Sequence, residues 1–264
     1  MHILVVGGGM GGTILANNLA RRLSGELEQG SSKITMLSAS DKHMYQPGLL
    51  YVAVGKMSTT ELYRDQKSLL EPSIDFHVDP VEKFDLDNNS VTTKSGKKIS
   101  YDILCIATGS RGNAAGIPGL AEHACQFYTE ADALAMYKKL QKFEGGKVVV
   151  ATGVPHKCPM SPLEITFFLI DYFKKRGIWD KVDLHYTYPI GRVHSLEPVA
   201  NWAAPEFDKE GVTYETLFNM KEVVPGKVIS EEDSSAEFDL LVTVPPHKGM
   251  QVIEDNELGK GGFI

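Results

Sequence analysis

Short apolar runs alternate with longer amphipathic stretches from the first residues onward, as in a chain of alternating strands and helices. His2–Val6 reads as a buried strand. Residues 13–23 read as a helix with Ile14, Leu15, Leu19 and Leu23 on one face, and residues 33–37 as a second strand. Strand, helix and strand in that order imply a parallel, right-handed crossover. Residues 61–70 predict a further helix, closed by Pro72. Short strands follow at 75–78, Val81–Asp85, Ser90–Thr93 and Lys98–Ser100, separated by the turn residues Asp87-Asn88-Asn89 and Ser95-Gly96. Residues 101–106 form another buried strand.

From about Gly112 the pattern restarts. Residues 129–143 predict a helix with Thr129 as N-cap, 147–152 a strand, 162–175 a helix and Val182–Tyr188 a strand. Later strands are expected at 212–217, Lys227–Ser230 and 238–244. The fold class is therefore α/β with two Rossmann-like, doubly wound units. The expected division is 1–111, 112–247, and a last segment, 248–264, that begins a return to the first unit.

With 264 residues the chain can build one large or two small cores. Its net charge of −7 argues against a nucleic-acid partner, because no basic stripe is present to neutralise phosphates. The densest apolar stretch, 165–173, is interrupted by Asp171 and is too short to cross a bilayer. A glycine motif beginning at Gly7 leaves no room for a signal peptide, so the expected compartment is a reducing cytoplasm. The three cysteines there do not suggest a disulfide scaffold.

Gly7-x-Gly9-x-x-Gly12 follows a strand and opens a helix, the context in which this spacing carries information. Gly7 permits the tight turn, Gly9 lets the backbone approach a pyrophosphate, and Gly12 lets the helix pack on the strand. The helix N-terminus, with Met10 and Gly11, then offers free N–H groups to the phosphates. The acid that usually ends the second strand and binds the ribose is absent. Ser38 or Ala39 stands there, and Asp41 lies further on. A buried strand ending Ala107-Thr108-Gly109, with Ile117-Pro118-Gly119 soon after, matches the second signature of flavoproteins with two dinucleotide folds, so FAD is the expected cofactor.

The second unit lacks its glycine motif. After residues 147–152 comes Gly153-Val-Pro-His-Lys-Cys158-Pro-Met-Ser-Pro-Leu-Glu164, in which only Gly153 remains. Pro155 stiffens this turn, and the loop is too bulky for a pyrophosphate. Cys158 stands just before a helix, with His156 and Lys157 beside it, a setting that favours thiolate. Ser161, Pro162 and Glu164 read as N-cap, N1 and N3 of a capping box. Against Cys158 as a redox nucleophile stands the plainer reading of a small buried loop residue. Cys105 reads as core filler and Cys125 as a partly buried cysteine. His194 is a candidate proton carrier, with a surface loop histidine as the alternative.

Cys158-Pro159-x-x-Pro162-x-Glu164, the run Ser40 to Pro47 that contains His43, Tyr45 and Gln46, the two flavoprotein signatures, and Val244-Pro245-Pro246 together resemble the sulfide:quinone oxidoreductase family across essentially the whole chain. The resemblance implies FAD held near Met10, Gly11, Ser38, Gln46 and Val81. It implies sulfide as substrate, quinone as electron acceptor and Cys158 as one of two redox cysteines; Glu164, from the same motif, and His194, from its own position, are the other expected catalytic residues. It also implies peripheral membrane association through a C-terminal anchor. The chain departs from the family at Ser38 and at Thr129, where some members carry another cysteine. It reaches Ile264 before the partner cysteine, quinone-site and anchor segments, so it is expected to be an N-terminal part. A homo-oligomer is compatible with the sheet left incomplete. Alternatives are a flavocytochrome c sulfide dehydrogenase-like flavoprotein, a type II NADH dehydrogenase, and an inactive FAD-binding fragment.

Overall fold

Side chains of β1 (His2–Val6) alternate between two cores. Ile3 and Val5 pack with Ala16 and Ala20 of α1 (Met10–Arg22) and with Ile34 and Met36 of β2 (Lys33–Ser38). Leu4 and Val6 pack on the opposite face with Leu37, Val81, Phe84, Val91 and Tyr101. The computed structural model describes residues 1–264, which form two compact units. One comprises 1–45, 60–111 and 248–264, the other 46–59 and 112–247.

In the first unit, β1 and β2 are joined by β3 (Ile74–Val78). The antiparallel strands β4 (Val81–Asp85), β5 (Ser90–Thr93) and β6 (Lys98–Ser100) follow, and then β7 (Ile103–Ile106). The parallel sheet has the order β3-β2-β1-β7. Helix α1 buries small residues, Gly12, Thr13, Ala16 and Ala20, whereas Ile14 is 54% exposed. The apolar face expected from Ile14 and Leu15 is thus rotated outward, because the helix lies too close to the sheet for large side chains. The helix expected at 61–70 is absent. Thr59–Leu62 and Lys67–Leu69 are 3-10 turns, and Tyr63–Asp65 pairs antiparallel with Lys42–Met44. Tertiary pairing overrides local propensity there: the Gln66 N–H goes to the Asp41 carbonyl at 2.7 Å rather than to the fourth residue back. The last segment packs into this unit through Ile253, and the Asn256 side chain accepts from the Phe84 N–H at 2.9 Å.

The second unit contains α2 (Gly48–Ala53), β8 (Ala124–Cys125), α3 (Glu130–Lys142), β9 (Gly146–Thr152), α4 (Ser161–Lys175), β10 (Val182–Tyr188), α5 (Glu197–Glu210) and β11 (Thr213–Thr216). It continues with β12 (Met220–Val224), β13 (Lys227–Ser230), β14 (Ser235–Glu237) and β15 (Leu240–Val244). Five strands make a parallel sheet of order β8-β15-β9-β10-β11. Val149, Ala151 and Leu241 face a core shared with Phe218, Met220, Val223 and Val228. The opposite face carries Tyr186 against Phe207 of α5, ring centroids 5.1 Å apart. Burying an aromatic of this size contributes about 1.5–3 kcal/mol. Thr129 caps α3 as expected, accepting from the Asp132 N–H. Helix α2 is held by Tyr51 against Phe168 and by Lys56 paired with Asp171 at 2.6 Å. No helix is long and apolar enough to cross a membrane.

Candidate functional site

The glycine turn of the first unit is built by contact. A Cβ on Gly7, whose φ is +117°, would stand 2.2 Å from the Ala107 carbonyl oxygen, and one on Gly12 would stand 1.9 Å from the Gly7 carbonyl oxygen. These two glycines let β1, β7 and α1 meet. Over Gly9 and Gly11, by contrast, a Cβ would meet nothing within 4 Å, and Met10 between them is 54% exposed. The first turn of α1 carries no acidic residue. An open backbone cradle at the positive end of a 13-residue helix suits an anionic pyrophosphate. The residues present fit the phosphate end of FAD.

The other residues expected near that cofactor are less uniform. Thr108 and Gly109 follow β7, with Gly109 at φ +78° and open space above it. Ser38 is 8% exposed and lies under Gly8, where a Cβ would stand 2.5 Å from its Oγ. The Val81 side chain is buried with Phe84 and Val91, while Val78 at the end of β3 is 51% exposed. Gln46 belongs to the second unit and accepts from the Lys157 ammonium at 2.7 Å. A polar group that the sequence did not reveal lies beneath the turn. His43 Nδ1 is 3.2 Å from the Gly8 carbonyl and 3.0 Å from Gln66 Oε1, and Gln66 Nε2 donates to Thr13 Oγ1 at 2.9 Å.

In the second unit the equivalent turn is closed. A Cβ on Gly153 would stand 2.5 Å from Pro246 Cδ, so no open floor lies over its single glycine. Cys158 is partly exposed, ahead of the N-terminus of α4. The expected capping box does not form: Met160 occupies the N-cap without a side-chain bond, and the Ser161 hydroxyl turns back to donate to the Cys158 carbonyl at 2.9 Å. Tyr128 supplies the next link, its hydroxyl 2.5 Å from Ser161 Oγ. Burial raises the Tyr128 pKa, and the nearby Cys158 and Glu164 raise it further. Glu164 is exposed on the first turn of α4.

His194 is fully buried, which corrects the expectation of a surface histidine. Its Nδ1 accepts from the Leu196 N–H at 3.0 Å, so the neutral ring carries its proton on Nε2, which has no partner. The ring stacks on Tyr188, whose hydroxyl is 3.4 Å from His156 Nε2. Burial lowers the His156 pKa, opposed by its bond to the Gly153 carbonyl. His247, missed at the sequence level, packs edge-on to Tyr128 at 4.5 Å. Burial pushes it down to about 4. Its His-after-Pro-Pro context carried no chemical signal. Cys105 and Cys125 are free thiols pushed up by burial.

Comparison with known proteins places these features in context. The family described as pyridine nucleotide-disulphide oxidoreductase matches residues 1–244. The chain is 27% identical over 267 residues to the mitochondrial sulfide:quinone oxidoreductase of Mus musculus, covering 96% of this chain and 58% of that protein. It is 31% identical over 250 residues to the sulfide-quinone reductase of Aquifex aeolicus, covering 86% and 56%. The X-ray structure of the Aquifex aeolicus sulfide:quinone oxidoreductase superposes with a TM-score of 0.83 at 26% identity, over 96% of this chain and 60% of that one. The chain thus spans less than two thirds of the length of these relatives.

Proposed function

The chain belongs to the pyridine nucleotide-disulphide oxidoreductase family, and from that premise we propose that it is the FAD-binding and sulfur-carrying portion of a sulfide:quinone oxidoreductase. The single observation that carries this reading is the contrast between the two turns. The first is open over Gly9 and Gly11, and the second is filled by Pro246 and carries Cys158. A chain that took electrons from NADH in the usual way would need the second turn open as well. The named relatives support sulfide as the electron donor.

FAD, when bound, supplies a two-electron acceptor. The backbone N–H groups at Gly9, Met10 and Gly11 would hold its pyrophosphate, with Gly7, Gly12, Ala107, Thr108 and Gly109 shaping the cradle. Cys158 Sγ would carry the substrate sulfur as a persulfide, an S–S bond whose formation from hydrosulfide and thiol releases two electrons, for which FAD would be the acceptor. Ser161 and Tyr128 fix the Cys158 backbone. His194, whose Nε2 proton has no partner, and Glu164, exposed on the first turn of α4, are the proposed proton carriers of the same site. Quinone is the proposed final acceptor, and membrane association belongs to the same proposal.

The test is anaerobic reduction of the FAD-loaded protein. Sulfide is expected to bleach the visible flavin band and NADH to leave it. Bleaching by NADH alone would favour a type II NADH dehydrogenase, and a protein that takes up no FAD would contradict the reading.

A further inference from the structure

The polar group beneath the first glycine turn forms a closed circuit. Both atoms facing His43 Nδ1, the Gly8 carbonyl and Gln66 Oε1, are acceptors, so Nδ1 carries a proton and shares it between them. The Gln66 amide donates to Thr13 Oγ1 at 2.9 Å, and the Thr13 hydroxyl donates to the same Gly8 carbonyl at 3.3 Å. Gln66 is 1% exposed and Thr13 7% exposed, so neither side chain has water as an alternative partner.

The consequence lies in the peptide between Gly8 and Gly9. Its carbonyl accepts twice from below and is thereby turned inward. In a planar trans peptide the N–H points opposite to the carbonyl. The Gly9 N–H is therefore held outward, away from the circuit, at the start of α1. A run of glycines would otherwise sample many orientations. Ser38 stands where an acid usually anchors the ribose, so less of the cofactor's orientation can come from that position.

We propose that Gln66, Thr13 and His43 are positioning residues that preset the Gly8–Gly9 peptide for a dinucleotide pyrophosphate. The inference rests on the FAD-binding reading above and adds to it which side chains govern affinity. None of the three needs to touch the cofactor.

The test is FAD titration of the apoprotein by flavin fluorescence, for the parent and for Thr13→Val, Thr13→Ser, His43→Phe and His43→Asn, with thermal unfolding of each apo form alongside. Thr13→Val and His43→Phe are expected to weaken FAD binding about tenfold; each also leaves a buried Gln66 amide atom unpaired, so the apo forms should unfold at a lower temperature than the parent yet remain folded at the titration temperature. Thr13→Ser and His43→Asn, which keep the donors, are expected to stay close to the parent. Dissociation constants for Thr13→Val and His43→Phe within about twofold of the parent would overturn the inference. A parent that binds no FAD would instead overturn the functional reading itself, and this inference with it. Should Thr13→Val fail to fold, the half-buried His43 pair decides the question alone.

Discussion

The Ser161 hydroxyl donates to the Cys158 carbonyl, 2.9 Å away, while Tyr128 approaches the same Ser161 oxygen at 2.5 Å. Because Ser161 has spent its proton, Tyr128 must be the donor of the pair. A helix-start serine expected to cap α4 instead ties the cysteine loop to a half-buried tyrosine. Ser161→Ala should cost about 1–2 kcal/mol, since it strands the Tyr128 hydroxyl. It should also speed alkylation of Cys158 by iodoacetamide. Denaturant midpoints and labelling rates read the two effects, with the buried Cys125 as an internal control.

The glycines of the first turn should separate into two classes. Gly12→Ala places a Cβ 1.9 Å from the Gly7 carbonyl oxygen and should destabilise the fold by about 2–4 kcal/mol. Gly9→Ala and Gly11→Ala meet nothing within 4 Å and should fold as the parent does, yet lose FAD affinity because the added methyl occupies the cradle. Unfolding curves and FAD titrations on the same proteins distinguish the classes.

Acid should weaken the fold within a defined window. Burial holds His247 at about 4, against an ordinary value near 6.5, so its ring stays neutral in the folded protein while the unfolded chain takes up a proton. Stability is then full above about pH 6.5, falls as pH drops toward 4, and loses up to about 3 kcal/mol from this residue. His156 and His185, also lowered by burial, act in the same direction. Urea unfolding across this range should show the slope, and His247→Phe should make it shallower.

Much of the fold was legible because the central parallel strands, His2–Val6, Gly146–Thr152 and Leu240–Val244, are short, largely apolar runs and many turns have a glycine or proline. The cradle followed from glycine spacing in context. Helix α5 was not legible: Pro198 starts it and Pro205 interrupts its interior, so local rules argue against a continuous helix that Phe207 and Ala203 hold by burial. The region 61–70 misled for the converse reason, since helix-compatible residues are recruited into pairing with Lys42–Met44. The Gln66 circuit joins residues 53 positions apart, and no local pattern marks it. His194 looked like a loop residue because its burial comes from Tyr188, on a different element.

The central claim is that Cys158 carries the sulfur chemistry of a flavin-binding fold. The most direct test is the rate of flavin bleaching by sulfide, under anaerobic conditions, in the FAD-loaded protein and in its Cys158→Ser variant. The account predicts rapid bleaching that the substitution abolishes while FAD binding is retained. Equal bleaching in both proteins would contradict it.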